Sequence, residues 1–342
     1  MISGHLYDRH LKRKHTRGFT IVELLIVVVV IAILAAISLV AYSGITSQAR
    51  DSVKASEIAQ WKKKSEIRKI EKNISCPDNY VFVYGNSALG TDDFCVMKYE
   101  AKDVGGVATS QASGTPWVSI SQTNAIAAAT ASGGHLVTEA EWMTIAADVL
   151  SVKYNWTRGA VGSGYIYQGH VNNNPASALA ASTDDSDGLI GITGGTGTTV
   201  GTNSQRTLLL SSGDTIWDFS GNVYEWTQQA IGSPTLTTSQ IGVSGDSGFN
   251  WREWNLGSLS MGNLSANSRP SALTSTAGLS DIASWDASKG IGRVYANYAD
   301  ASARAFRRGG YWSGTSNAGV LALSLGSSAS DTYTGIGFRV AR

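Results

Sequence analysis

Residues 304–342 read RAFRRGGYWSGTSNAGVLALSLGSSASDTYTGIGFRVAR, and the pairing of this stretch decides how the larger part of the chain folds. Leu321, Leu323 and Leu325 alternate with small residues, the pattern of a strand with one buried face. Ser324 and Gly326 are then predicted to point the other way, toward solvent. The small residues also admit a plainer reading as loop filler. Between Gly309 and Leu325 there is no cysteine, and from Gly309 onward there is no Lys, Glu, Gln or Met.

Two segments upstream carry comparable information. Residues 217–228, WDFSGNVYEWTQ, place the carboxylates of Asp218 and Glu225 on either side of a Gly-Asn turn with free carbonyls. Such a set suits a hard oxygen cage for Ca²⁺. Alternatively, Glu225 and Asn222 satisfy the backbone of a tight turn while Trp217 and Trp226 pack the core. Residues 133–146, GGHLVTEAEWMTIA, open a helix predicted over 138–150, with Thr138 and Glu141 in capping-box spacing. A second short helix is predicted over 119–131. His135 reads as a structural residue at the start of the first of these helices, and the acidic run TDDSDG at 183–188 as a solvated loop rather than a calcium loop. Gly/Ser/Thr/Asn-rich stretches at 172–205 and 230–280 read as long surface excursions.

In this order the three motifs resemble the formylglycine-generating-enzyme-like branch of the C-type lectin fold, from FCVMKYEAK at Phe94 to Arg342. Val137, Met143 and Tyr224 depart from the familiar forms. The resemblance implies a calcium site around the turn, with Asp218, Gly221, Val223 and Glu225 as ligands. Enzymatic members oxidise through cysteines in the segment after RGG, which this chain lacks there, so an exported enzyme of that type is disfavoured. The tail is similar, more narrowly, to the variable proteins of diversity-generating retroelements. That similarity implies that Tyr311, Ser313, Gly314, Ser324, Gly326, Ser327, Asp331, Tyr333, Thr334 and Gly335 are variable, ligand-facing positions. Arg308, Gly309, Trp312, Val320, the three leucines, Ile336, Phe338 and Arg339 would form the framework between them. Tyr and Ser give rigid contact area and adaptable hydrogen bonds in antibody-like surfaces.

At the other end, Ile21–Tyr42 is apolar except for Glu23 and Ser38, long enough to cross a bilayer. An uncleaved signal anchor is one reading. Gly18 directly before Phe19, and a carboxylate inside the run, point elsewhere. The basic leader followed by GFTIVELLIVVVVIAIL resembles the type IV pilins and pseudopilins. The resemblance implies cleavage after Gly18 by prepilin peptidase, N-methylation of Phe19, and pairing of Glu23 with the terminal amine of a neighbouring pilin subunit. Residues 43–72 continue as an amphipathic helix with Val53, Ile58, Trp61, Ile67 and Ile70 as its apolar positions. A helix from 19 to 72 would be about 80 Å long.

The formal charge of +1 over 342 residues hides an asymmetry: +4 in residues 1–18, +3 in 19–72 and −6 in 73–342. An acidic body argues against nucleic acid as its partner. Cys76 and Cys95, the two cysteines, fall on the extracytoplasmic side of the predicted span. A disulfide is the natural reading there, with two buried thiols as the alternative. The chain is therefore expected to be α+β: a leader (1–18), a transmembrane and stalk helix (19–72), and a loop-rich C-type lectin (formylglycine-generating-enzyme-like) body (73–342) with a variable region at about 304–342. Its expected place is the cytoplasmic membrane before assembly and then the cell surface or a pilus, with the body meeting an extracellular protein or glycan. A structural minor pilin or pseudopilin is the alternative function.

Overall fold

The computed structural model describes residues 19–188, 205–233 and 235–342. The leader with Gly18, and the Gly/Thr-rich part of the 172–205 stretch, lie outside them. The described chain divides into two compact units that meet between Glu57 and Ile58.

Helix α1, Ile21–Lys72, contributes to both units. In the first, Ile21–Ser38 has a mean hydropathy of 3.1 and is exposed throughout; among the described residues it is the one helix long and apolar enough to cross a membrane. Its first turn is closed by Thr20, whose N–H and hydroxyl both donate to Glu23 Oε2 at 2.8 Å.

In the second unit, the last turns of α1 pack through Ile58, Trp61, Ser65 and Arg68, positions three or four apart along one helical face. Ser65 is 2% exposed and its hydroxyl donates to Ser212 O at 3.0 Å. Arg68 Nε meets Asp93 at 2.5 Å. The apolar stripe expected from sequence is thus only partly the packed face. Ile67 and Ile70 are 49% and 79% exposed, because at about 100° per residue they fall on the side of the helix away from Trp61, Ser65 and Arg68.

The body is built on two sheets. Strands β1 (Tyr80–Val83) and β2 (Phe94–Met97) form a hairpin. Helix α2 (Gln122–Ala131), strand β3 (His135–Leu136) and helix α3 (Glu139–Ser151) follow. Then come β4 (Tyr224–Thr227), β5 (Thr235–Thr237), β6 (Asn250–Arg252), β7 (Val294–Ala296), β8 (Ala303–Gly309), β9 (Gly319–Ser327), β10 (Ile336–Phe338) and β11 (Val340–Ala341). The small sheet has the order β1-β2-β11-β3, all antiparallel, so the last strand of the tail lies between two early ones. The large sheet runs β6-β7-β9-β8-β4-β10, with β5 beside the start of β8; β7/β9 and β4/β10 are parallel pairs.

Strand β9 forms where the leucine alternation predicts, with Leu321, Leu323 and Leu325 in the core beneath α3. Its other face is buried too. Ser324 is 1% exposed, because the longer cross-strand side chains of Arg307 and Tyr295 close over it. Helix α3 has the predicted capping box, Thr138 accepting from Glu141 N and Glu141 from Thr138 N. Helix α2 starts three residues later than predicted: Ser119 sits at φ 56°, and Ser121 is the N-cap. The 230–280 stretch is not merely a surface excursion. Ile241, Trp254, Leu264, Leu273 and Leu279 each reach the main core, spaced about ten residues apart with no helical or strand period to reveal them.

Cys76 and Cys95 form a disulfide, Cα–Cα 5.4 Å, closing the turn between α1 and β2. A loop of this size contributes roughly 3 kcal/mol by limiting the unfolded chain. Cys76→Ser/Cys95→Ser is expected to lower the unfolding free energy of the full chain by about that amount; an unchanged urea midpoint would show that the bridge does not constrain the unfolded state. His135 Nε2 lies 2.8 Å from Glu141 Oε1, and this hydrogen bond holds the imidazole above its usual value. The contribution is present below about pH 6.5 and is lost as pH rises through the folded-state value. His135→Gln should therefore flatten the fall in stability above pH 6.5, read from melting temperature against pH.

Candidate ligand-binding site

The SGNVYEW segment forms a tight turn held from inside. Asp218, Gly221 and Asn222 all have positive φ, and a Cβ on Gly221 would lie 2.6–2.7 Å from the carbonyl oxygens of His170 and Gln168, so only glycine fits. Asn222 Nδ2 donates to Glu100 Oε2 at 2.6 Å and Val223 N to Glu100 Oε1 at 3.2 Å. Asp218 receives Arg206 Nε and Nη2, both at 2.7 Å, and Glu225 receives Arg339 Nη2 at 2.7 Å and Nε at 3.1 Å. Burial pushes Glu225 up from the usual carboxylate range, against the field of Arg339. Burial, then Asp218, push Glu100 well above it, while Lys102 opposes the rise.

Asp218, Gly221, Val223 and Glu225 therefore do not fit a calcium cage. Both oxygens of each carboxylate are occupied by guanidinium hydrogens, and a cation between them would have to displace two buried arginines. Among the described residues no cluster of three His, Cys, Asp or Glu could hold a metal. In the acidic run, Asp185 binds Lys98 Nζ at 2.8 Å and the Trp217 indole N–H at 2.8 Å. A third buried pair joins Glu139 to Arg308, with Thr227 donating to Glu139 Oε1 at 2.5 Å.

The face of the large sheet opposite the three leucines is different in kind. Trp251, Tyr295, Ser324 and Arg307 are register neighbours across β6, β7, β9 and β8. Tyr295 packs against Trp251 at 4.9 Å and Phe249 at 5.4 Å, and Arg307 lies 5.0 Å over the Tyr224 ring. Tyr224 stacks on Tyr311 at 5.2 Å, and Tyr311 meets Trp312 at 5.4 Å. Beside them Tyr333 is 53% exposed. The result is a band of aromatic rings interrupted by one guanidinium.

Of the ten positions expected to face a ligand, Tyr333 and Thr334 are exposed, and Tyr311, Ser313, Gly326 and Asp331 are half-buried at the surface. Gly314, Ser324, Ser327 and Gly335 are buried, which corrects their placement on the open face. Gly335 lies beneath Tyr311 and Trp312; a Cβ there would be 3.0 Å from the tyrosine ring. The sequence reading missed Tyr224, Tyr295, Trp251 and Arg307. For Arg307 a signal existed: if Arg308 points inward, the two-residue period of a strand sends its neighbour outward. Processing residues Phe19 and Glu23 lie at the start of α1, remote in sequence from these groups.

Replacing Arg339 by Met should cost about 3–5 kcal/mol, because Glu225 is left charged and unpaired beside Glu100 and Asp218. Arg339→Met/Glu225→Met should cost less than the single change. A double-mutant loss equal to the sum of the two single losses in denaturant unfolding would show that the pair is not coupled.

Residues 13–39 match the prokaryotic N-terminal methylation motif, and residues 78–342 match the sulfatase-modifying factor enzyme 1-like domain. No curated protein matches the chain. Similar solved structures include the Major Tropism Determinant M1 variant (17% identity, TM-score 0.31), the U1 variant (16%, 0.31) and the I1 variant (15%, 0.30). Each match covers 78% of this chain and 52% of the other, so the chain spans about half the length of those proteins. With its three motifs folded into one body over the full matched length, the chain belongs to the family of the sulfatase-modifying factor enzyme 1-like domain.

Proposed function

We propose that this chain is a pilin-type surface-display protein whose body binds an extracellular ligand through the aromatic face of its large sheet. The observation that carries the reading is that face: Arg307 lies over the buried Tyr224 ring, and the half-buried Tyr295, Tyr311 and Trp312 and the exposed Tyr333 continue the aromatic band to the surface. Tyr and Trp offer large contact area at little entropic cost, and they dominate binding hot spots. The N-terminal methylation motif and the apolar first half of α1 support processing after Gly18 by prepilin peptidase, anchoring in the cytoplasmic membrane, and association with other pilin subunits through Phe19 and Glu23.

A binding role is favoured over cysteine oxidation because the chain's two cysteines are joined in a disulfide and the segment Gly309–Leu325 contains none. The surface positions Tyr311, Ser313, Gly326, Asp331, Tyr333 and Thr334 form the rim at which the tail would be diversified. A reverse transcriptase beside the gene, with a near-copy of the tail's coding sequence altered at adenines, is the genomic arrangement this requires. Cells producing the full chain are expected to adhere to some member of a panel of immobilised extracellular proteins and glycans. Tyr311→Ala/Tyr333→Ala should reduce that adhesion about tenfold or more without lowering surface abundance. Unchanged adhesion would move the site off this face.

A further inference from the structure

We propose that Arg307 is the anchor for a carboxylate presented by a protein ligand, an Asp or Glu side chain seated among the tyrosines. The inference rests on the reading of the aromatic face as the binding surface and names the chemistry of its partner. The three fully buried arginines of the body each have a carboxylate: Arg206 has Asp218, Arg308 has Glu139 and Arg339 has Glu225. Arg307 has none within ion-pair distance among the described residues. Its hydrogen bond is Nη2 to Ser324 Oγ at 2.7 Å, and its buried Nε has no partner. Asp331, the acid whose field reaches it, holds Ser328 N and Oγ at 3.0 and 2.8 Å instead.

A largely desolvated cation without a counter-charge is costly, and an arriving carboxylate removes that cost while making charge-assisted hydrogen bonds. Burial pushes the guanidinium down from its usual value. Gly326 leaves the approach open: a Cβ there would lie 3.3 Å from Arg307 Nη2 and 2.9 Å from the Tyr295 ring. The surround favours a peptide over an acidic sugar. Rings and hydroxyls dominate it, and Asp331, the carboxylate whose field reaches Arg307, already accepts two hydrogen bonds from Ser328 and has few acceptor sites left for the several hydroxyls of a sugar.

The test is calorimetric titration of the full chain in detergent with the peptide acetyl-Tyr-Glu-Tyr-amide and its Gln counterpart, with N-acetylneuraminic acid and inorganic phosphate as further arms. The Glu peptide is expected to bind about tenfold or more tightly than the Gln peptide, and R307Q to abolish the difference. G326D, which supplies an internal carboxylate, should weaken the Glu peptide about tenfold more than the isosteric G326N. Equal binding of the two peptides, an unaffected R307Q, or Arg307-dependent binding of the sugar or phosphate alone would overturn the proposal. If Tyr311→Ala/Tyr333→Ala abolishes adhesion while R307Q leaves it intact, the aromatic face stands and the carboxylate anchor falls.

Discussion

The guanidinium of Arg339 is fully buried and shared among three distant segments: it binds Glu225 in β4, the Met97 carbonyl in β2 and the Trp217 carbonyl before the tight turn. Guanidinium donors lie in a rigid plane, so all these bonds form together only when the tail, the turn and the first hairpin reach one arrangement. The two sheets meet at this residue, since β10 ends one residue before it and β11 begins one residue after it. Glu139 and Arg308 do the same between α3 and β8, with Ser268 and Leu321 carbonyls completing the set. The body is thus organised by internal charge pairs as much as by its apolar core.

This explains what the family motifs are in this chain. The TEAEW helix, the SGNVYEW turn and the RGG…GFR tail supply Glu139, Glu225, Arg308 and Arg339, which face inward and bind each other. Motif similarity here reports a shared interior, and chemistry does not travel with an interior. Trp251, Tyr295 and Arg307, neighbours across the opposite face of the large sheet, lie beside these inward-facing positions rather than among them.

Much of the fold was legible in the sequence because its signals are local. A capping box lies within four residues, leucine alternation within five, and the positions of two cysteines after an apolar span state their redox setting. Tertiary features were not legible. Ser324 is small and polar, and nothing near it in sequence tells that Arg307 and Tyr295 cover it. Ile67 and Ile70 look like part of a packing stripe until the packed face proves to run through Ile58, Trp61, Ser65 and Arg68 instead. Asp218 and Glu225 have the spacing of metal ligands, and their occupation by Arg206 and Arg339 depends on residues 12 and 114 positions away. The aromatic face was half visible: Tyr311 and Tyr333 belong to the tail, whereas Trp251 and Tyr295 reach it through sheet order alone.

The disulfide also sets how tension passes through the molecule. Cys76 follows the end of α1 by four residues and is bonded to Cys95 in β2, whose N–H and carbonyl exchange hydrogen bonds with Arg342 at 3.0 and 2.8 Å. A pull along α1 therefore enters the body at β2, a strand flanked on both sides, and is resisted by two neighbours at once. The bridge makes the chain between the cysteines, β1 included, a covalently closed loop that cannot be drawn out as extended chain under load.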